Sequence, residues 1–200
     1  METIESHIEK INNGEKFEYL YFYGHTPKQG SLLADKSCLS QWYPAMFMRN
    51  TSKWYNAEQY MMYHKARLCR DDETLQLIIK EQDPSKLKQL GRQIKNFDQE
   101  SWDAIKSGVV RAGNLMKFAQ NVDLLYFLLN TGDKVLVEAA PNDPIWGVGM
   151  RQDDPDIIDP RNWKGSNLLG FTLMSVREHL SLTKNVFNYD GTFISKNNLE

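Results

Sequence analysis

From Asn56 onward the chain places Ala57, Tyr60, Met61, His64 and Leu68 at three- and four-residue intervals, the spacing of one side of a helix. Met62 and Tyr63 fill much of the remaining circumference, so this helix is apolar nearly all round. A surface helix keeps a polar face for water; one without it is buried on more than one side. Asn56 stands where a side-chain oxygen caps the first turn. Two charges ride on this helix, Glu58 and Lys65, seven residues apart and so within about 20° of one angular position. Glu58 falls in the first turn, where the unpaired N–H groups favour a carboxylate, and Lys65 lies two turns on among Met, Tyr and His. Read alone, the pair is either a solvated surface couple, as most helix charges are, or a buried couple with a chemical use.

The elements that would cover this helix are legible on both sides of it. Residues 1–16 read as a short polar helix or frayed terminus, and the aromatic run Phe17-Glu-Tyr-Leu-Tyr-Phe-Tyr23, ending at Gly24, reads as the first strand. Residues 25–35 form a loop, with 38–44 and 46–48 as further extended segments and 50–53 as a turn. Helices are predicted over 72–81 and 84–91, the latter begun by Asp83-Pro84, over 98–120 with a split or loosening near Gly108 and Gly113, and over 122–129. The alternating Val135-Leu-Val-Glu-Ala139 is a strand, a proline-rich loop covers 153–160, and the last strong helix covers 166–182. There is no internal repeat or low-complexity linker. The pattern predicts one α+β domain over 17–183, mostly helical with a few short strands, with 184–200 as a peripheral tail.

Composition narrows the functions available. A length of 200 residues suits one domain, and 41% hydrophobic with 25% charged residues is ordinary for a globular chain. No apolar run approaches the roughly 18 residues of a membrane span, and the polar, acidic N-terminus does not resemble a secretion signal, so a soluble cytoplasmic or nuclear protein is expected. Cys38 and Cys69 lack metal-ligand spacing and read as reduced thiols. His7, His25, His64 and His179 never form HxH, HxxxH or HExxH, so no metal site is expected, and any hydrolysis would be metal-free. A formal net charge of -2 supplies no global basic field for a long nucleic acid, although a local basic pocket stays open.

A second cluster lies where the strand at 135–139 runs into a turn, Glu138-Ala-Ala-Pro-Asn142-Asp143-Pro-Ile-Trp146-Gly147-Val-Gly149. Loops at strand ends commonly carry function, and glycines admit a ligand close to the backbone. The same residues also suit a plain Asx-Pro turn with Trp146 as a core aromatic. Trp42, Trp54, Trp102 and Trp163 are likewise open between core packing and base stacking.

Taken together, four blocks resemble the NADAR (YbiA-like) family of N-glycosidases. Trp54-Tyr-Asn-Ala-Glu58-Gln-Tyr-Met-Met-Tyr-His-Lys65-Ala resembles the family's aromatic-x-x-x-E-x-x-x-x-x-x-K-A helix, and Leu90-Gly91-Arg92 followed by Ser101-Trp102 resembles its G-R…W segment. Asn142-Asp143-Pro-Ile-Trp146-Gly147-x-Gly149 is similar to its N-D-x-x-W-G-x-G block, and Asn167-Leu-Leu169-Gly170-x-x-Leu-Met174-x-x-Arg177 to its closing helix. The blocks occur in order across most of residues 17–180. One segment departs: Leu-Ser-Gln-Trp42-Tyr-Pro stands where bacterial members often have a Phe-Ser-Asn-Phe run.

The resemblance implies a YbiA-like fold and cleavage of a ribose–base C–N bond without metal or redox cofactor. The implied substrate is an ADP-ribosylated guanine in nucleic acid or nucleotide, with ribosylamino-pyrimidine intermediates of riboflavin synthesis as the alternative. A non-catalytic module that binds ADP-ribose or NAD is the alternative of another class. It implies Glu58, Lys65 and Asp143 as catalytic residues: Glu58 moving protons and stabilising positive charge on the sugar, Lys65 attacking the anomeric carbon or merely holding Glu58, and Asp143 orienting ribose or water. Arg92 would meet phosphate, Trp102 and Trp146 would stack on the base, and Gly147 and Gly149 would admit the sugar. Tyr23, Gly24, Trp42, Asn56, Asn167 and Gly170 complete the implied substrate contacts.

Overall fold

In chain order the elements are α1 (Ile4–Asn12), β1 (Tyr19–Phe22), β2 (Phe47–Arg49), β3 (Ser52–Trp54), α2 (Ala57–Leu68), α3 (Asp72–Lys80), α4 (Pro84–Gln93), α5 (Gln99–Ala119), α6 (Val122–Asn130), β4 (Val135–Glu138), α7 (Leu168–Leu182), β5 (Asn185–Phe187) and β6 (Phe193–Ser195). The computed structural model describes residues 2–27, 34–183, 185–187 and 193–195. Helices dominate and the strands are short, the α+β class predicted. Contacts divide the chain into two units, one of Met1–Ser40 with Tyr126–Leu182, the other containing Gln41–Leu125.

In the first unit β1 and β4 pair in parallel, Tyr19 opposite Val135 and Phe22 opposite Glu138. Val135, Val137 and Ala139 turn to one face and bury against Val148, Met150, Ile157 and Phe171. Burying each large apolar side chain of this set contributes about 1.5–3 kcal/mol. Of the two readings for the N-terminus, the helix is observed. Thr3 caps α1 reciprocally with Ser6, and His7 is buried among the rings of Phe17, Tyr19, Trp163 and Phe171.

The free edge of β4 is closed by a side chain. Asn167, with φ 49°, donates from Nδ2 to the Leu136 carbonyl at 2.9 Å and accepts at Oδ1 from the Glu138 N–H at 3.0 Å, as a neighbouring strand would. α7 then passes so close that a Cβ at Gly170 would overlap the Leu136 carbonyl oxygen. Gly170→Ala is therefore expected to destabilise the fold by about 3 kcal/mol, the upper range for overpacking, because backbone rather than a flexible side chain must give way. Urea denaturation measures it; a midpoint equal to wild type would refute the close approach.

In the second unit α2 is packed by α3, α4 and α5, as its apolar circumference requires. Asn56 caps it, accepting from the Gln59 N–H at 2.8 Å. Gln59 is itself buried and closes the end of α3, donating to the carbonyls of Ile78 and Glu81 while accepting from the Tyr55 N–H. Phe47, Trp54 and Tyr60 form the apolar centre with Tyr63, Val109, Ala112 and Met116.

Three local expectations are corrected. Residues 38–44 are not simply extended: Lys36–Leu39 form a 3-10 turn, because the Asp35 carboxylate accepts the Ser37 N–H. The turn expected at 50–53 is tighter, since Asn50 alone adopts a left-handed φ of 53° and Ser52 already pairs with Arg49. α5 is continuous through Gly108 and Gly113. Gly113 lets α5 approach α2, for a Cβ there would come within 2.8 Å of the Tyr60 ring. The expected C-terminal tail lies largely outside the described residues; within it β5 and β6 pair antiparallel.

Candidate active site

The second unit holds Glu58, Lys65, Asn56, Trp42, Arg92 and Trp102. Glu58 is 3% exposed, in the first turn of α2, and its N–H donates to the Gln41 carbonyl at 3.0 Å. The buried reading of that charge is the observed one. A carboxylate out of water is retained where partners or the helix N-terminus stabilise it.

Lys65, two turns on, is half-buried. Its ammonium donates to the Gly91 carbonyl at 2.8 Å and lies 4.2 Å from the centre of the Phe97 ring. Burial pushes its pKa below the usual lysine range, with the field of Cys69 and then of Glu58 opposing. Loss of a proton from Nζ is thus easier than in water, the direction a nucleophilic amine requires.

Around Glu58 the structure adds residues that the sequence reading missed. Asn114 of α5 donates from Nδ2 to Gln41 Oε1 at 2.6 Å and to the Val110 carbonyl at 2.9 Å. One turn further, Lys117 is 0% exposed, its ammonium 5.7 Å from the Tyr43 ring centre and 5.1 Å from that of Phe118. Asn114 and Lys117 therefore meet the 41–43 segment that also receives the Glu58 N–H. The signal was periodicity: Val110, Gly113, Asn114 and Lys117 share one helical side, and a lysine in that register is buried with it.

The other members differ in role. Asn56 is buried, and besides capping α2 it donates to the Gln82 carbonyl at 2.9 Å. Trp102 is buried, Trp42 half-buried with the Lys88 ammonium 5.8 Å from its ring centre, and Arg92 exposed in the last turn of α4.

The His64 ring centre lies 4.4 Å from that of Tyr60 with the planes tilted by 56°, while Arg49 donates to the Tyr60 hydroxyl. Burial, then Arg49 and Arg67, lower the His64 pKa to about 4. The unfolded chain, with an ordinary histidine pKa near 6.5, takes up this proton first as pH falls. Stability from a neutral His64 is thus complete above about pH 6.5 and is lost towards pH 4. Wild type is expected to lose about 2 kcal/mol more than His64→Gln between pH 7 and 4.5 in chemical denaturation. Equal losses would remove His64 from the acid response.

The first unit holds Tyr23, Gly24, Asp143, Trp146, Gly147, Gly149, Asn167 and Gly170. Asp143 Oδ1 accepts from the N–H groups of Ile145 at 3.2 Å and Trp146 at 2.9 Å, an Asx turn. The turn is pinned to β4 by the Val148 N–H on the Glu138 carbonyl and to the start of α7 by the Asn167 and Leu169 N–H groups on the Gly147 and Trp146 carbonyls. Trp146 is half-buried and Tyr23 is 60% exposed. Gly24 and Gly149 adopt φ of 84° and 67°. Asn167 and Gly170 are engaged with β4 as described above.

Among the described residues no three of His, Cys, Asp and Glu are gathered to hold a metal ion, and no helix is long and apolar enough to cross a membrane. These features define an α+β protein in which a helix packed on several sides carries a buried carboxylate and a half-buried lysine. The NADAR domain model matches residues 21–181. An N-glycosidase of Acanthamoeba polyphaga mimivirus is 39% identical over 169 residues, spanning 82% of this chain and 97% of that protein. The Caenorhabditis elegans protein irg-1 is 40% identical over 150 residues, 74% of this chain and 70% of that protein. The NMR structure of the Escherichia coli protein YbiA is similar with a TM-score of 0.65 at 26% identity, covering 84% of this chain and 88% of that one. The chain belongs to the NADAR family.

Proposed function

We propose that this chain is an N-glycosidase that releases ADP-ribose from guanine in nucleic acid or nucleotides by cleaving the bond between the base nitrogen and the ribose anomeric carbon. The observation that carries it is the buried carboxylate of Glu58 on the same helix as Lys65, whose ammonium burial destabilises. Relatives from mimivirus, Nostoc punctiforme and Escherichia coli bear the name N-glycosidase, which supports the bond type.

Such a bond breaks with positive charge growing on the sugar, and a fixed negative charge in a dry site lowers that barrier most. Glu58 supplies it. Neutral Lys65 Nζ attacks the anomeric carbon as the C–N bond to the base breaks; the electron pair leaves with the base nitrogen, which is protonated through Glu58. The ribosylated lysine opens to an imine, and water hydrolyses it, releasing ADP-ribose and restoring the amine. Arg92, exposed at the end of α4, meets phosphate.

Chromatography of products tests the reading. ADP-ribosylated guanine, as nucleoside or in an oligonucleotide, is expected to give guanine base and ADP-ribose at a rate unchanged by EDTA, because the steps use side chains and water. Binding without product would leave an ADP-ribose-binding module. Release of base only from a ribosylamino-pyrimidine would move the activity to riboflavin precursors, and a rate lost in chelator and restored by a divalent cation would reject the side-chain mechanism.

A further inference from the structure

Phe97 is a large apolar side chain that the core does not claim. It is 38% exposed, although Ile94 three residues earlier is 7% exposed, and it follows Asn96, which takes a left-handed φ of 54°. Core packing therefore does not account for its place. The chain is pinned on both sides of it: the Asp71 carboxylate, which caps α3, accepts the Lys95 N–H at 2.8 Å, and Asp98 caps α5 by accepting the Ser101 N–H at 2.9 Å. What this short linker presents is the face of the Phe97 ring, with the Lys65 ammonium 4.2 Å from its centre. The other cation–ring contacts among the described residues span 5.1–5.8 Å.

An aromatic face attracts a cation through its quadrupole, and more strongly where water is excluded. Attack by Lys65 on the sugar does not take positive charge away from this place. The anomeric carbon is cationic as it meets Nζ, and the nitrogen carries the charge again once the bond has formed, in the ribosylated amine and in the protonated imine. That carbon is one C–N bond, about 1.5 Å, from Nζ, an atom already 4.2 Å from the ring centre. Burial lowers the Lys65 pKa, and the ring works the other way by favouring the charged amine. Phe97 thus does not make the nucleophile; its effect falls on the cation that the nucleophile attacks and becomes.

We infer that Phe97 is a further catalytic residue: its ring face, which meets the Lys65 ammonium in the free enzyme, stabilises the cationic sugar as it forms and the iminium that then joins it to Lys65. This rests on the proposed glycosidase reading with Lys65 as nucleophile. To the charge of Glu58 it adds a second stabilising group that is itself uncharged.

Replacing Phe97 with monofluoro-, difluoro- and trifluorophenylalanine keeps the ring nearly the same size while draining its negative face, and so separates electrostatics from packing. The kcat for ADP-ribosylated guanosine is expected to fall with each added fluorine, by about tenfold at three, while KM changes less than about twofold. Phe97→Leu, which stays apolar but loses the ring, should lose about tenfold or more, and Phe97→Tyr should retain most of the rate. In single turnovers with borohydride, ADP-ribose should accumulate on Lys65 more slowly in the same order. An active wild type with equal kcat across the fluorinated series overturns the inference and leaves the glycosidase reading intact; a loss confined to Phe97→Leu would then be one of packing. A wild type that releases no base overturns the glycosidase reading, and the role of Phe97 with it.

Discussion

Glu58→Gln is expected to lower turnover of ADP-ribosylated guanine by at least about a hundredfold while changing KM little. Glutamine keeps the shape and leaves the backbone bond from residue 58 to the Gln41 carbonyl intact, so the packing of α2 is preserved. What is lost is the charge, which acts on the transition state, where the sugar is most cationic, far more than on the bound substrate. A hundredfold corresponds to about 2.7 kcal/mol of transition-state stabilisation, within reach of one preorganised charge. Measuring kcat and KM separately checks the assignment. A Glu58→Gln enzyme with near-normal kcat would return Glu58 to a purely structural role.

Lys65→Arg separates two mechanisms that share every other residue. If the amine attacks the sugar, arginine should be at least a hundredfold slower, because a guanidinium stays protonated and cannot form the bond. Borohydride added during turnover should reduce the imine and leave ADP-ribose mass on the peptide containing residue 65. If the lysine supplies only positive charge near Glu58, arginine should retain much of the rate and no adduct should form. An active Lys65→Arg enzyme would sink covalent catalysis and assign the attack to water activated by Glu58.

The helix that carries both groups was legible because its periodicity, its Asn56 cap and its missing polar face all point the same way. The rest of that surrounding was not. Gln41 and Asn114 are polar residues whose burial depends on meeting each other across 73 positions, and no local pattern announces such a pair. Lys117 sits in a buried register of α5, but lysine is so seldom fully buried that composition argues against reading it that way. The 3-10 turn at Lys36–Leu39 was missed because it depends on one side-chain bond from Asp35 rather than on propensity. In the first unit, Asn167 and Gly170 stood out in the sequence as members of a ligand-like motif. The structure gives them a use that such a motif also conceals, closing and flanking the edge of β4.

The pairing of β1 with β4 also sets an order of events at the ribosome. Tyr19 finds its partner only at Val135, and the Gln41–Leu125 part of the second unit lies in the interval between them. During synthesis the whole of α2 to α5 emerges before the first unit has a second strand, so β1 must wait, unpaired, with its aromatic side chains Tyr19, Tyr21 and Phe22 uncovered. Sequence-distant pairing of this kind is slow to form and exposed to misassociation meanwhile. For this chain the vulnerable interval is translational: it lasts about a hundred residues of elongation, and chaperone demand during expression should be concentrated there.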